Sequence, residues 1–366
     1  TLEFGEGINA FFGDNGQGKT NVLEAISYLS LTKSFYAAND RTVLQKGKER
    51  FEVEGNILTD SDVQHTIRVV YTGNGDKLFT VNGIRPETLT SVIGRFPLVV
   101  LSPENNAITF GGPAERRKFM DLLLSQISRA YLEDLLEYRR ALKQRNRILM
   151  EARQGRGLLS ELLDPWTETI VRLGARIIAQ RARFFEEFRP RMQNAYKHLV
   201  AGGQRHEADE HPDLEYVSLA GVDAACTVED VRQLMQQELH RRAEEEIRRG
   251  TTLVGPHRDD IQLSLNGLPM QQYASQGQHK TMLIALKIAE YFYLRERCNE
   301  LPIMLLDDVF SELDEHRARY LLRATSELGQ TFITTTDERV FGSSVAWNGR
   351  HRRFYVHAGR VLTSQV

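Results

Sequence analysis

A chain of 366 residues has room for two or three domains, and 41% apolar with 26% charged residues is the make-up of a soluble globular protein. No apolar run reaches the length of a membrane span, no signal peptide is visible, and a chain that opens at Thr1 leaves its true start open. Cys226 and Cys298 fit no metal or redox spacing and read as reduced thiols of a cytoplasmic protein, while a net charge of −2 leaves only local clusters to speak for a polyanionic partner.

Ile8-Asn9-Ala10-Phe11-Phe12 is short and apolar enough for a buried strand. Gly13-Asp14-Asn15-Gly16-Gln17-Gly18-Lys19-Thr20 follows it and fits G-x-x-x-x-G-K-[ST], the phosphate-binding loop of nucleotide triphosphatases. Apolar residues at 22, 25, 26 and 29 then mark one face of a helix. Strand, glycine loop and helix is the order the chemistry needs. The glycines let backbone N–H groups turn toward phosphate oxygens, and the helix N-terminus adds a favourable dipole. Lys19 is placed for the β- and γ-phosphates of ATP, and the Thr20 hydroxyl for Mg²⁺.

From there to residue 112 the chain is strand-rich. Phe51 to Leu58, Gln64 to Tyr71 and Leu78 to Asn82 alternate as strands, with Gly73-Asn74-Gly75-Asp76 as a hairpin turn. The continuous apolar run Phe96 to Leu101 belongs inside a sheet, and Gly111-Gly112-Pro113 ends the stretch.

From Pro113 to about Arg249 the texture is helical. Leu135, Tyr138, Leu142 and Leu149 form one apolar stripe, and Ile170, Leu173, Ile177, Phe184 and Phe188 a second. Gly155, Gly157 and Pro165 suit the turn of a helical hairpin between them, Pro190 is expected to kink or end the second helix, and Gly202 to Pro212 reads as an exposed loop. Val231 to Arg249 reads as one more charged helix. Leu136 to Arg156 carries seven Lys or Arg against two Glu, with Arg139, Lys143 and Arg147 repeating on one face. A DNA phosphate contact would use such aligned cations, but so would a solvated face with carboxylate partners among Glu186, Glu187 and Glu244 to Glu246.

Gly255-Pro256-His257-Arg258-Asp259-Asp260 leads into the alternating strand Ile261 to Leu265. It is read as a loop bracing the nucleotide face, since no second ligand cluster supports a metal site. Ser275-Gln276-Gly277-Gln278 opens a long helix through Arg295, where a serine can serve both as N-cap and as anion contact. Ile303-Met304-Leu305-Leu306-Asp307-Asp308 is a buried parallel strand ending in two carboxylates, the Walker B pattern. Asp307 suits Mg²⁺ and Asp308 the attacking water. These textures divide the chain into a nucleotide lobe at 1–112, a helical arm at 113–250 and the rest of the head at 251–366.

Taken together, these motifs resemble the ABC-type ATPase head of the SMC and recombination-repair group, and within it the RecF family. The likeness runs to about Arg339. It rests on Asn15 to Asn21, Thr32-Lys33-Ser34-Phe35, Pro113 with Arg116-Arg117, Gln144-Arg145-Asn146, Gly255 to Asp260, Ser275 to Gln278 and Leu306-Asp307-Asp308. The resemblance implies an α/β fold: a two-lobed ABC-type ATPase head with a mixed β-sheet and an inserted α-helical arm. It implies that Ser275, Gly277 and Gln278 complete the ATP site of a second subunit, so that ATP closes a homodimer. Lys19 and Asp308 would be the catalytic pair. Aspartate at 308 stands where most of the superfamily has glutamate, which predicts weak, DNA-stimulated hydrolysis. Thr334-Thr335-Thr336-Asp337 stands where transporters have a switch histidine, leaving the γ-phosphate sensor unassigned. The resemblance further implies double-stranded DNA or its junction with single-stranded DNA as ligand, RecR as partner, RecA loading as outcome, and a cytoplasmic, nucleoid-associated protein. The competing reading is an ATP-gated SMC-type binding module without meaningful turnover.

Overall fold

The computed structural model describes residues 1–37, 39–155, 160–201, 210–342 and 345–363; Arg156, Gly157 and the Gly202–Gly203 pair fall outside them. In chain order the first elements are β1 (Ile8–Phe12), α1 (Lys19–Leu31), α2 (Asp40–Val43), β2 (Arg50–Leu58), β3 (Gln64–Thr72), β4 (Lys77–Val81) and β5 (Leu98–Leu101). Next come α3 (Asn106–Phe110), α4 (Pro113–Ile127), α5 (Arg129–Arg153), α6 (Ser160–Val200), β6 (Pro212–Val217), α7 (Val228–Arg241) and α8 (Ala243–Arg249). The rest are β7 (Asp260–Leu265), β8 (Leu268–Pro269), α9 (Met270–Tyr273), α10 (Gln276–Cys298), β9 (Ile303–Asp307), α11 (Glu315–Glu327), β10 (Thr331–Thr335), β11 (Arg352–His357) and β12 (Arg360–Thr363).

Contacts group these into two compact units, one of Thr1–Asn106, Ala195–Asp209 and Ser275–Val366, the other of Ala107–Asn194 and Glu210–Ala274. The first is built on a six-stranded sheet ordered β12-β11-β1-β10-β9-β5. Strands β11, β1, β10, β9 and β5 run parallel, and β12 closes the edge antiparallel. Parallel strands covered on both faces need unbroken apolar runs. The sequence supplies such runs at β5 and, as far as Leu306, at β9, while in β1 the one polar residue, Asn9, is buried with the rest. The register pairs Phe12 with Thr335 and Thr334 with Asp307, so the phosphate loop after β1 and the carboxylates ending β9 emerge at one edge of the sheet. Ligands in open α/β sheets bind at that carboxyl edge. Helix α1 packs on β5, β9 and β10, and also on β2 and β3 of the antiparallel sheet β2-β3-β4, where Tyr28 and Leu29 join Ile67, Val69 and Phe79 in a core.

The second unit is more than helices. Where the sequence suggested an exposed loop up to Pro212, the chain forms β6 from Pro212, antiparallel to β7 with Leu214 opposite Leu263. The acidic residues Asp213 and Glu215 had masked a two-residue alternation. With β8 these strands make a three-stranded sheet, so residues 251–274 belong to this unit by contact. The expected breaks at proline also differ. Helix α6 is assigned without interruption through Pro165 and Pro190. Each proline removes one N–H bond. The buried side chains of Phe184, Phe188 and Met192 on either side of Pro190 keep the helix in register, and the Arg191 guanidinium donates to the Glu187 carbonyl at 2.6 Å. The single charged helix expected from Val231 onward is two, α7 and α8, meeting at Arg242. No helix among the described residues is long and apolar enough to cross a membrane.

Candidate nucleotide site

The phosphate loop is shaped by what surrounds it. Gly18, the residue before α1, has φ 99°, a left-handed conformation that favours glycine, and no side chain caps the helix. The N–H groups of the first turn therefore have no side-chain acceptor, the condition for an anion site at a helix start. At Gly13 (φ 153°) a Cβ would run into the carbonyl of Val356 on β11. Lys19 is 7% exposed and folds back on its own loop, its Nζ donating to the carbonyls of Gly13 at 2.7 Å and Asp14 at 2.9 Å. The ammonium thus holds the concave side of the loop and faces where phosphate charge would sit.

The loop has a second tether. The Gln17 amide oxygen accepts the Ala358 N–H at 2.6 Å, and the Gln17 carbonyl accepts the Gly359 N–H at 3.0 Å. Ala358 and Gly359 form the two-residue turn between β11 and β12, both at positive φ, 47° and 74°, as a type I′ hairpin turn requires.

Two hydroxyls converge on Asp307. The Thr20 hydroxyl lies 3.0 Å and 3.1 Å from the two Asp307 carboxylate oxygens, and the Thr334 hydroxyl donates to Oδ1 at 2.7 Å. Thr334 in turn accepts the Asp308 N–H at 2.8 Å. Asp307 is 5% exposed, and Asp308 is held at φ 48°, a left-handed conformation uncommon outside glycine. A hydroxyl and a carboxylate in contact are hard oxygen donors of the kind Mg²⁺ takes with water and phosphate oxygens. The residues present fit that ion and a triphosphate. A cavity of about 20 Å³, one water in size, lies beside Asp308 and is lined by Ser102, Asn106, Lys280 and Leu313 among others.

The Ser275 hydroxyl caps α10 by accepting the Gln278 N–H at 3.3 Å, and the Gln278 amide oxygen accepts the Ser275 N–H at 2.7 Å. This reciprocal box leaves Ser275 exposed and Gly277 half-buried at the helix start. Of the residues singled out in the sequence, Gly13 to Thr20, Asp307 and Asp308 therefore meet at one sheet edge, while Ser275, Gly277 and Gln278 stand at the α10 start in the same unit. Two participants were not singled out: Thr334, beyond its place in a threonine run, and the Ala358–Gly359 turn. A two-residue loop between alternating segments was the available signal for the turn.

The basic helix face fares differently. Arg139 bonds Asp121 at 2.9 Å, Arg147 bonds Glu151 at 3.2 Å one turn on, and Lys143 is exposed. Arg145, within the same run, is 4% exposed and buries its guanidinium against Glu246 at 2.6 Å and Thr252 at 2.8 Å. Glu246 belongs to the acidic run named as a partner for a solvated face, but the pair it makes is an internal one.

The Gly255-to-Asp260 segment braces the second unit. Arg181, 1% exposed, donates to Asp121 and Asp259 at 2.7 Å each, to the Pro256 carbonyl at 2.7 Å and to the Tyr131 hydroxyl at 3.0 Å. Asp259 also accepts from Tyr216 and, at 2.7 Å, from Ser218. Arg116 grips Asp260 through two nitrogens at 2.7 and 2.8 Å. Removing one partner from such a buried pair typically costs about 3–5 kcal/mol. The His257 Nε2 faces the Thr252 carbonyl at 3.1 Å and Nδ1 faces the Tyr138 hydroxyl at 2.6 Å. A carbonyl only accepts, so Nε2 carries the proton and Nδ1 accepts from tyrosine. Burial pushes the imidazole down to about 4. Among the described residues no group of three or more His, Cys, Asp or Glu is placed to hold a metal.

The family model described as "RecF/RecN/SMC N terminal domain" matches residues 1–351. The DNA replication and repair protein RecF of Chloroherpeton thalassium is 43% identical over 339 residues, covering 92% of this chain and 90% of that protein. Its counterpart from Salinibacter ruber is 40% identical over 357 residues, covering 96% and 85%. Among solved structures, the recombination mediator RecF with ATP, in the RecFOR pathway, superposes with a TM-score of 0.89 at 33% identity, covering 100% of this chain and 93% of that one. An Smc head domain from Pyrococcus furiosus, at 15% identity and a TM-score of 0.53, shares the fold.

Proposed function

Because the chain belongs to the RecF family of DNA replication and repair proteins, we propose that it is an ATP-gated DNA-binding protein that dimerises on ATP, hydrolyses it slowly and acts as a repair mediator. The observation that carries this reading is the contact of Thr20 with Asp307, the two bound in turn through Thr334 to Asp308, beside a loop already gripped by Lys19. Lys19 would neutralise phosphate charge, and Thr20 with Asp307 would hold Mg²⁺. The ion supplies charge neutralisation for phosphoryl transfer to water. Asp308, set at a fixed angle by its N–H bond to Thr334, would take the proton of that water. Ser275, Gly277 and Gln278 would close on the site of a second copy. The DNA would be duplex or its junction with a single strand, with RecR as protein partner and RecA loading as the result. A relative with ATP in the RecFOR pathway supports both nucleotide and pathway.

Light scattering with and without ATP–Mg²⁺ and short duplex DNA, on wild type and Lys19→Met, tests this. Wild type is expected to dimerise with ATP and retain DNA while the variant does neither. If both stay monomeric and bind DNA equally, ATP is not the switch. Dimerisation by ATP without measurable phosphate release would instead favour a binding module that lacks turnover.

A further inference from the structure

The second unit holds a cleft of about 190 Å³ between the first turns of α4, the middle of α5, and α6, with Pro256 and His257 at its base. Arg117, Lys118, Arg139 and Arg181 all line it, against the single carboxylate of Asp121. That carboxylate is already engaged: Oδ1 accepts from Tyr131 at 2.6 Å and Arg181 at 2.7 Å, and Oδ2 from Arg139 at 2.9 Å. His257 adds no negative charge. The cleft is therefore cationic beyond what its own walls neutralise.

Three features suit it to a tetrahedral oxyanion. Ala114, Arg117, Lys118 and Asp121 line the cleft at helical spacing, so one side of α4 from its first turn faces it and presents two cations there. Arg139 places one terminal nitrogen on Asp121 while its side chain stays 57% exposed, and Lys118 is 74% exposed with Glu115 no nearer than 3.8 Å. Arg117 donates to the Asp259 carbonyl at 2.7 Å, and burial together with the neighbouring Arg181 charge holds its guanidinium below the ordinary arginine range.

We propose that this cleft seats one backbone phosphate of bound DNA through Arg117, Lys118 and Arg139 at the start of α4. The site rests on the reading that the protein binds DNA and relocates the contact from the outer face of α5 to the α4–α5 cleft. A phosphate contact of this kind positions the duplex without reading sequence. On the outer face, Arg147 is tied to Glu151 and Arg145 is internal.

The test is fluorescence anisotropy of a labelled duplex with ATP–Mg²⁺ over a NaCl series, on the full chain, comparing wild type, Lys118→Gln/Arg139→Gln and Lys143→Gln/Arg147→Gln. Asp121 keeps two other donors, so the cleft variant is expected to fold, which its melting temperature and ATP affinity check. Loss of one phosphate contact lowers the slope of log affinity against log salt by about one unit and weakens binding about tenfold at moderate salt. The cleft variant should show that loss, and the outer-face variant a smaller one. A cleft variant indistinguishable from wild type, or an equal or larger loss in the outer-face variant, overturns the site while leaving DNA binding in place; an acidic protein segment would then be the cleft's ligand. Wild type that binds no DNA overturns the function itself.

Discussion

At Asp308 the backbone does as much as the side chain. A residue at φ 48° outside glycine is held there by its surroundings, here by a backbone N–H donated to both the hydroxyl and the carbonyl of Thr334, at 2.8 and 3.2 Å. Asp308→Asn keeps this geometry and removes the proposed base. Phosphate release is expected to fall about 10²- to 10⁴-fold while ATP-dependent dimerisation persists, and turnover at the wild-type rate would refute the assignment. His257 makes a prediction about stability. Its folded pKa, about 4, lies below the usual 6.5, because burial disfavours the charged ring. The unfolded chain then binds the extra proton between these values, so stability is fully present above about pH 6.5 and is lost as pH falls toward 4. The full effect is on the order of 3 kcal/mol. Urea melts across that range should show a slope that flattens in His257→Gln. The meeting of Asp307 with the phosphate loop at one sheet edge was legible because short motifs fix both residue type and spacing. Thr334 was not, because a threonine in a buried strand carries no pattern until the register puts it beside Asp307.

Among the elements, the hairpin of β11 and β12 acts as a strap on the phosphate loop. Its turn supplies two N–H donors to Gln17, and a hydrogen bond of this kind contributes about 0.5–1.5 kcal/mol. Gln17→Ala removes the side-chain bond and is expected to weaken ATP binding about two- to tenfold with little change in melting temperature, measured by titration with a fluorescent ATP analogue; unchanged affinity would show that the loop holds its shape alone. The parallel strands and α1 were readable from apolar runs and helical spacing. Strand β6 and the uninterrupted α6 were not, since both depend on partners distant in sequence. Leu214 needs Leu263 opposite it to make a strand, and Pro190 is tolerated where buried Phe188 before it and Met192 after it lock the helix.

For the molecule as a whole, the motif arrangement gave the ATPase head and the interrupted chain order, and the family match agrees with both. The grouping of residues 251–274 with the helical unit needed coordinates, because the pairing of β6 with β7 and the bonds of Arg116, Arg145 and Arg181 to Asp260, Thr252 and Asp259 draw that stretch away from the motifs that follow it.

The placing of β1 also sets a timetable for synthesis. This strand, buried along its whole length, finds its sheet neighbours in β10 and β11, more than three hundred residues later in the order of translation. At about 5–20 residues per second a ribosome needs tens of seconds to supply them. Through that interval Phe11 and Phe12 have no native sheet to enter, and the nucleotide loop behind them has no strap. The nascent chain thus carries two phenylalanines without their native cover over that interval, and the strapped form of the loop arises only once β11 and β12 have been made.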